Sequence, residues 1–251
     1  MSLRWIAVWR RNWLVWKRLA IPSILGNLAD PLIMFFGLGY GLGAIVGNLQ
    51  GTSYFAFLAA GFVASSTMYA ATFESLFSAF SRMHVQRTWE GIVNAPMTLD
   101  DVLAGECAWA ATKALAAGGC MLVIVAAFGY AHGASALVVL PVVVLLGLAF
   151  AALGLSVNAL ANGYDFFSYY MTLVLTPMMM LSGVFFPIEQ MPAAVQDVAK
   201  ALPLYHGVAI VRPLLSGLPV PHMALHLGVL LAYAIVGFYA ATVLTRRRLL
   251  K

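Results

Sequence analysis

Long apolar runs separated by short polar breaks make up most of the chain. Six of them supply the roughly 20 mostly apolar residues that a bilayer-spanning helix needs: Ile24 to Val46, Tyr54 to Ser78, Val102 to Phe128, Leu137 to Asn158, Phe166 to Phe186 and Met223 to Leu244. Two of the breaks have patterns of their own. In HVQRTWEGIVNAP (84–96), Val85, Trp89, Ile92 and Val93 recur at helical spacing, while Gln86, Arg87, Glu90 and Asn94 fall elsewhere on the wheel. Pro96 ends that run. Such a helix suits either the membrane surface or a groove on another protein. The second break, 187–215, is cut by Pro187, Pro192, Pro203 and Pro213 into pieces too short to span, with helical turns expected over 195–201 and 208–215. Non-helical backbone at membrane depth survives only where protein or a water-filled cavity satisfies its polar groups. The region therefore reads as a re-entrant hairpin, with an ordinary extracytoplasmic loop as the alternative.

Ahead of the first span, RWIAVWRRNWLVWKR places Trp5, Trp9, Trp13 and Trp16 on one helical stripe, with Arg4, Arg11, Lys17 and Arg18 around the rest. This predicts an interfacial helix within 1–20, its rings at the headgroup level and its cations toward anionic lipid. The same 20 residues do not read as a cleavable signal, because no small-residue cleavage pattern follows a short apolar core.

Composition agrees with a membrane protein: at 63% hydrophobic and 9% charged, 251 residues carry too little polar surface to coat a soluble globule. Charge then orients it. Arg4, Arg10, Arg11, Lys17 and Arg18 precede the first span, Arg82 and Arg87 follow the second, and Arg246, Arg247, Arg248 and Lys251 close the chain. Only Lys200 and Arg212 fall in the other breaks, and Lys113 lies inside a span. The positive-inside tendency makes both termini and 84–96 cytoplasmic, and the net charge of +5 reports topology and lipid contact rather than nucleic-acid binding. Cys107 and Cys120 lie about 20 Å apart on one predicted helix, too far to bridge, and neither has a metal-spaced partner.

Ionisable groups inside spans are costly and mark function or pairing. Asp30, Glu74, Glu106 and Lys113 are the candidates: they line a pathway, or an acid neutralises Lys113 on a neighbouring span, or Glu106 braces the 84–96 helix. Asp165 caps a helix or faces solvent. Phe35, Phe36 and Tyr40, with Tyr69, Phe73 and Phe77, form aromatic stripes that suit sugar rings and acyl chains, or packing. His132, His206, His222 and His226 have no Ser or Asp at catalytic spacing, which argues against a membrane enzyme; His206 is expected to order the hairpin through backbone carbonyls. No Gly-Lys pair occurs, so no phosphate-cradling loop is present. A proton-coupled secondary transporter would use the four intramembrane charges as its relay, but internal repeats are not evident.

The run Leu181, Ser182, Gly183, Phe186, Pro187, Pro192, Gln196, Pro203, Leu204, His206, Arg212 resembles the C-terminal signature of ABC type-2 transporter permeases. LGNLADPLIMFFGLGYGLG (25–43), SYFAFLAAG (53–61), ATFESLF (71–77), RTWEGI (87–92), Gly105–Glu106 and YDFFSYY (164–170) resemble its nodulation-type subgroup, which exports lipochitooligosaccharide. The resemblance implies one all-α integral membrane domain over 1–251: six transmembrane helices, an N-terminal interfacial helix, a cytoplasmic coupling helix at 84–96 and a re-entrant outer hairpin at 187–215. It implies a homodimeric permease in a bacterial inner membrane, not itself an enzyme, assembled with two copies of an ABC ATPase subunit that holds ATP and Mg while this chain holds no cofactor. Arg87, Trp89, Glu90 and Ile92 would engage the ATPase. Asp30, Glu74, Glu106 and Lys113 would influence the pathway, and Pro187, Pro192, Pro203, His206 and Arg212 would form the outer gate. The cargo would be a glycolipid-like oligosaccharide, with a drug or lipid as alternatives.

Overall fold

The computed structural model of the protein describes residues 3–49 and 51–249. Lys251, used above for orientation, lies outside them, as do the first two residues of the predicted interfacial segment. The described chain is built of helices joined by turns and loops, with one two-residue antiparallel ladder, β1 (Asn48–Leu49) with β2 (Thr52–Ser53). Gly51 at φ 80° makes its tight reversal possible.

Among the described residues, five helical rods are long and apolar enough to cross a bilayer: Trp5–Val46, Tyr54–Val85, Leu99–Ala127, Ser135–Leu160 and Met223–Leu249. The first joins α1 (Trp5–Trp16) to α2 (Ala20–Val46) through a single 3-10 turn. In the second, α3 (Tyr54–Phe73) continues through two wide π turns, Glu74–Ser78 and Ser81–Val85. Arg82, expected in the break after the second span, instead stays on the rod, because the wide turns keep the backbone helical to Val85. Then follow α4 (Thr88–Val93), α5 (Leu99–Ala127) and α6 (Ser135–Leu160). Thr98 and Asp101 form a capping box that starts α5, each side chain bonding the other's backbone N–H. Next, α7 (Tyr164–Tyr170) runs through a third π turn, Met171–Leu175, into α8 (Thr176–Leu181). That rod ends five residues before the predicted boundary at Phe186, because Gly183 turns the chain at φ 74°. Last come α9 (Ala193–Ala201), α10 (Pro203–Leu215) and α11 (Met223–Leu249).

The core centres on α3, α5 and α6, packed through small residues. A Cβ added at Gly118 would meet Thr67 Oγ1 at 2.2 Å, and one at Gly154 would meet Ser75 Oγ at 2.2 Å. Two contacts fix where the α7–α8 rod begins and ends. Tyr164 packs on Phe80, 5.2 Å between ring centres, beside the last turns of the α3 rod. Val184, just past α8, lies against Gly61 near that rod's start. The α11 C-terminus returns to the α4 end, where Arg246 pairs with Asp100 and Arg248 donates to the last α6 carbonyls, Asn158 O at 3.1 Å and Ala159 O at 3.0 Å. The tryptophan stripe of α1 packs against α5. Trp13 and Trp16 meet Trp109 edge-on and Trp9 Nε1 donates to Thr112 Oγ1 at 2.9 Å, so α5 supplies an apolar partner for the stripe. The opposite side of α1 exposes Ile6, Leu14 and Val15.

Candidate functional site

At the α4 end the chain buries an odd-numbered charge cluster. Glu74 on α3's first wide turn and Glu106 on the second turn of α5 are 6% and 2% exposed, and one cation serves both. Arg82 Nη2 reaches Glu74 Oε1 at 2.9 Å, and Arg82 Nε reaches Glu106 Oε1 at 2.9 Å. Indoles complete the set: Trp109 Nε1 donates to Glu74 Oε1 at 2.9 Å, and Trp89 Nε1 to Glu106 Oε1 at 3.1 Å. Asn12, buried on α1, adds a donor to Glu106 Oε2 at 3.3 Å. Buried charges persist when paired and hydrogen-bonded, and here each carboxylate has a guanidinium and an indole.

Trp89 carries α4 into this cluster. It is 2% exposed, so its ring points inward and anchors the helix; Ile92 is half-buried against the core. The outward face of α4 consists of Arg87, Glu90, Gly91, Val93 and Asn94. Arg87 holds a left-handed backbone at φ 48°, which separates α4 from the rod before it. Two cations of α1 clamp the segment: Arg11 Nη2 donates to Thr88 Oγ1 at 3.3 Å and Arg4 Nη1 to Pro96 O at 2.6 Å. Glu106 thus does brace the 84–96 segment. Glu74 on the neighbouring rod acts on Lys113 through space without a salt bridge, its direct ion pair being with Arg82. The Lys113 ammonium instead donates to Ser23 Oγ and sits 5.3 Å from the Trp16 ring centre. Asp165 is exposed in the first turn of α7 and caps nothing; Gly163 holds the N-cap position.

Above the cluster lies a cavity of about 870 Å³ between α2, α3 and the α7–α8 rod. Ser23, Asn27, Asp30, Tyr69, Glu74 and Lys113 make its polar lining, while Phe62, Phe73, Met171 and Met179 make its apolar wall. The structure therefore gathers Asp30, Glu74 and Lys113 at one space and puts Glu106 behind Glu74, outside the lining. Of the aromatic stripes, Tyr69 and Phe73 line the cavity. Phe35, Phe36 and Tyr40 join Phe55 and Phe128 in a ring cluster that meets the cavity wall where Phe35 lies edge-on to Phe62, 5.7 Å between ring centres. Mixed polar and aromatic linings of this size suit an amphiphilic ligand.

At the end opposite α4, the proline-cut segment folds onto α3, α6 and α11. Pro192 precedes α9 and Pro203 opens α10, whereas Pro213 sits inside α10 without dividing it. Pro187 leads into the 3-10 turn Ile188–Gln190. Side chains satisfy the irregular backbone: Arg212 Nη2 donates to Gly183 O at 2.6 Å, and Tyr233 Oη to Ala201 O at 2.6 Å. The Arg212 guanidinium lies 3.8 Å from the Phe57 ring centre, and burial lowers its pKa to about 10. His206 Nε2 contacts Lys200 O at 2.9 Å, and its Nδ1 meets His226 Nδ1 at 2.7 Å. A carbonyl only accepts, so His206 carries its proton on Nε2 and His226 Nδ1–H donates to His206 Nδ1. Sequence reading anticipated the carbonyl contact and missed the histidine pair, because 20 residues and a proline-rich break separate its members.

The family described as ABC-2 type transporter matches residues 4–215. Nodulation protein J of Rhizobium meliloti (strain 1021) is 54% identical over 246 residues, 98% of this chain and 94% of the relative. That of Rhizobium leguminosarum bv. viciae is 53% identical over 250 residues, 100% of this chain and 96% of the relative. The inner membrane transport permease YadH of Escherichia coli (strain K12) is 25% identical over 242 residues, 95% of this chain and 94% of the relative.

Proposed function

The chain belongs to the ABC-2 type transporter family, and on that premise we propose that it is the permease of an ATP-driven exporter that moves lipochitooligosaccharide outward across a bacterial inner membrane. It is a multi-pass membrane protein of a permease family that works with an ABC ATPase. The observation that carries the cargo reading is the near full-length identity, above half of the aligned positions, to relatives named nodulation protein J. The cavity supports it: polar side chains fit sugar hydroxyls and amides, and the Phe62 and methionine wall fits an acyl chain.

Six spans form the proposed topology, with 164–181 as the fifth. At 1.5 Å per residue that rod is about 27 Å long, near the roughly 30 Å of a hydrocarbon core, and its ends lie at opposite ends of the bundle. Both termini and α4 then face the cytoplasm, where the basic residues concentrate. The outward face of α4, with Arg87 and Glu90, docks into the ATPase, and Trp89 and Ile92 hold the helix from within. Two permeases pair with two ATPase subunits. Asp30, Glu74 and Lys113 line the pathway. Pro187, Pro192, Pro203, His206 and Arg212 shape the outer gate, whose backbone the side-chain bonds above hold closed.

Vesicles carrying the permease and its partner ABC ATPase test the reading with a fatty-acylated chitooligosaccharide. In inside-out vesicles, accumulation is expected to require ATP and to persist when the proton gradient is collapsed. Accumulation driven by a proton gradient without ATP would overturn it.

A further inference from the structure

Glu74 belongs to two assemblies. Its side chain lines the 870 Å³ cavity, and the same carboxylate holds Arg82, whose guanidinium continues to Glu106. Glu106 in turn accepts the indole N–H of Trp89, the inward anchor of α4. Every step in this path is a hydrogen bond of 3.1 Å or less between side chains. It runs from the ligand space to the helix that faces the ATPase.

We propose that Glu74, Arg82 and Glu106 form a charge relay that reports occupancy of the cavity to α4, and through α4 to the ATPase. The proposal rests on the export reading above and deepens it by naming the residues that couple cargo to the motor.

The balance of charge makes the cluster responsive. Among the described residues two anions share one salt-bridged cation, with Arg11 and Lys113 acting on Glu106 and Glu74 only through space, so Arg82 divides its donors between Glu74 and Glu106. A cargo hydroxyl or amide N–H that bonds Glu74 competes with Arg82 there. Released donors turn toward Glu106, and a more fully neutralised Glu106 draws less on Trp89. In reverse, a shift of α4 that moves the Trp89 indole changes what Glu106 asks of Arg82, and so what Glu74 offers to the cavity. Coupling between two sites is reciprocal in this sense.

The backbone supplies the second observation. Glu74 opens one π turn and Arg82 lies in the next, with two ordinary helical residues, Ala79 and Phe80, between them. Interruptions of this kind recur at functional sites, because one extra residue in a turn has an alternative register in the regular helix. A change of register at either turn re-aims one relay member by a discrete step, the two-arrangement element that transmission needs. The cavity's other wall carries a third π turn, at Met171–Leu175, and Met171 lines the same space.

The test uses the permease–ATPase complex in vesicles and reads ATPase rate against concentration of a fatty-acylated chitooligosaccharide. Glu74→Gln keeps the shape of the side chain and leaves a balanced Arg82–Glu106 pair. Trp89→Phe keeps the ring's bulk and removes the N–H at the other end of the path. Each is expected to lower the saturating ratio of cargo-stimulated to cargo-free ATPase about fivefold or more. The double variant is expected to fall no further than either single one, since both cut one path. A merely structural brace leaves the saturating ratio unchanged, and a merely cargo-binding role raises the half-saturating concentration with the same plateau; either result overturns the relay. So does a double variant whose loss is the product of the two. If Glu74→Gln does not assemble, Trp89→Phe alone decides by the same plateau. Absence of any cargo stimulation in the unmodified complex counts against the export reading, while a normal response there with unchanged plateaus in the variants counts against the relay alone.

Discussion

Arg82 is the residue on which the buried charge of the α4 end balances, being, among the described residues, the single salt-bridge partner shared by Glu74 and Glu106. Removing one partner of a buried pair costs about 3–5 kcal/mol, because the charge left behind sits uncompensated in a low dielectric. Arg82→Met strands two carboxylates, whereas Glu74→Gln leaves one cation facing one anion. Thermal unfolding in detergent is therefore expected to rank Arg82→Met well below Glu74→Gln; equal melting temperatures would contradict the shared-cation reading. His206 poses a second residue-scale balance at the other end. Burial lowers its pKa from the ordinary 6.5, and the groups facing it are the Lys200 carbonyl at the end of α9, the Tyr205 ring and the His226 imidazole on α11, with His222 acting on His226. A lowered histidine pKa means that the unfolded chain binds the proton more readily. The stabilisation is then fully present above pH 6.5 and is lost as pH falls through the folded value. Protonation also places two N–H groups nose to nose at the His206–His226 contact. Hydrogen-exchange protection of α9 and α10, corrected for the slower intrinsic exchange in acid, is expected to fall as pH drops below 6.5, and to lose that dependence in His206→Asn.

Among the elements, α4 shows most clearly what periodicity carries and what it omits. The spacing of Trp89, Ile92 and Val93 gives a helix and its apolar face, but not what covers that face. Asn12, Arg82 and Glu106 converge there from three other elements, so the tryptophan turns inward and the exposed face is the polar one. The stripe of α1 carries the same lesson: its rings seek an apolar partner, and Trp109 on α5 provides it. Arg82 was illegible for a different reason. A cation at the end of an apolar run reads as loop, and nothing in composition announces the π turns that carry the helix past it. A charge reversal separates the two faces of α4. Arg87→Glu with Glu90→Lys alters exposed side chains only, so the isolated permease is expected to melt within about 0.5 kcal/mol of the unmodified chain. Recovery of the ATPase with the doubly reversed permease is expected to drop severalfold. Undiminished recovery would place the docking surface elsewhere.

The whole molecule turns on whether 164–181 crosses the membrane. Its sequence is more polar than the other five rods, with Tyr164, Asp165, Ser168, Tyr169 and Tyr170 in its first two turns, and it does not reach the hydropathy that marks the others as spans. Length and position argue for crossing. The rod starts beside Phe80, close to the α4 end, and delivers Val184 to Gly61, close to the start of α3, so its polar turns lie where an interface would wet them. Five crossings put the termini on opposite sides of the bilayer and six put them on the same side. The Arg246–Asp100 pair already draws the C-terminal end of α11 to the α4 end, where Arg4 and Arg11 hold α1. A reporter that fluoresces only in the cytoplasm is therefore expected to light up when fused to either terminus, and to stay dark when inserted at Gly133, in the turn between α5 and α6. Fluorescence from one terminus alone would remove the fifth crossing and with it the placement of α9 and α10 on the outer face. The histidine latch and the buried Arg212 would then have to be reassigned to the side on which the ATPase docks.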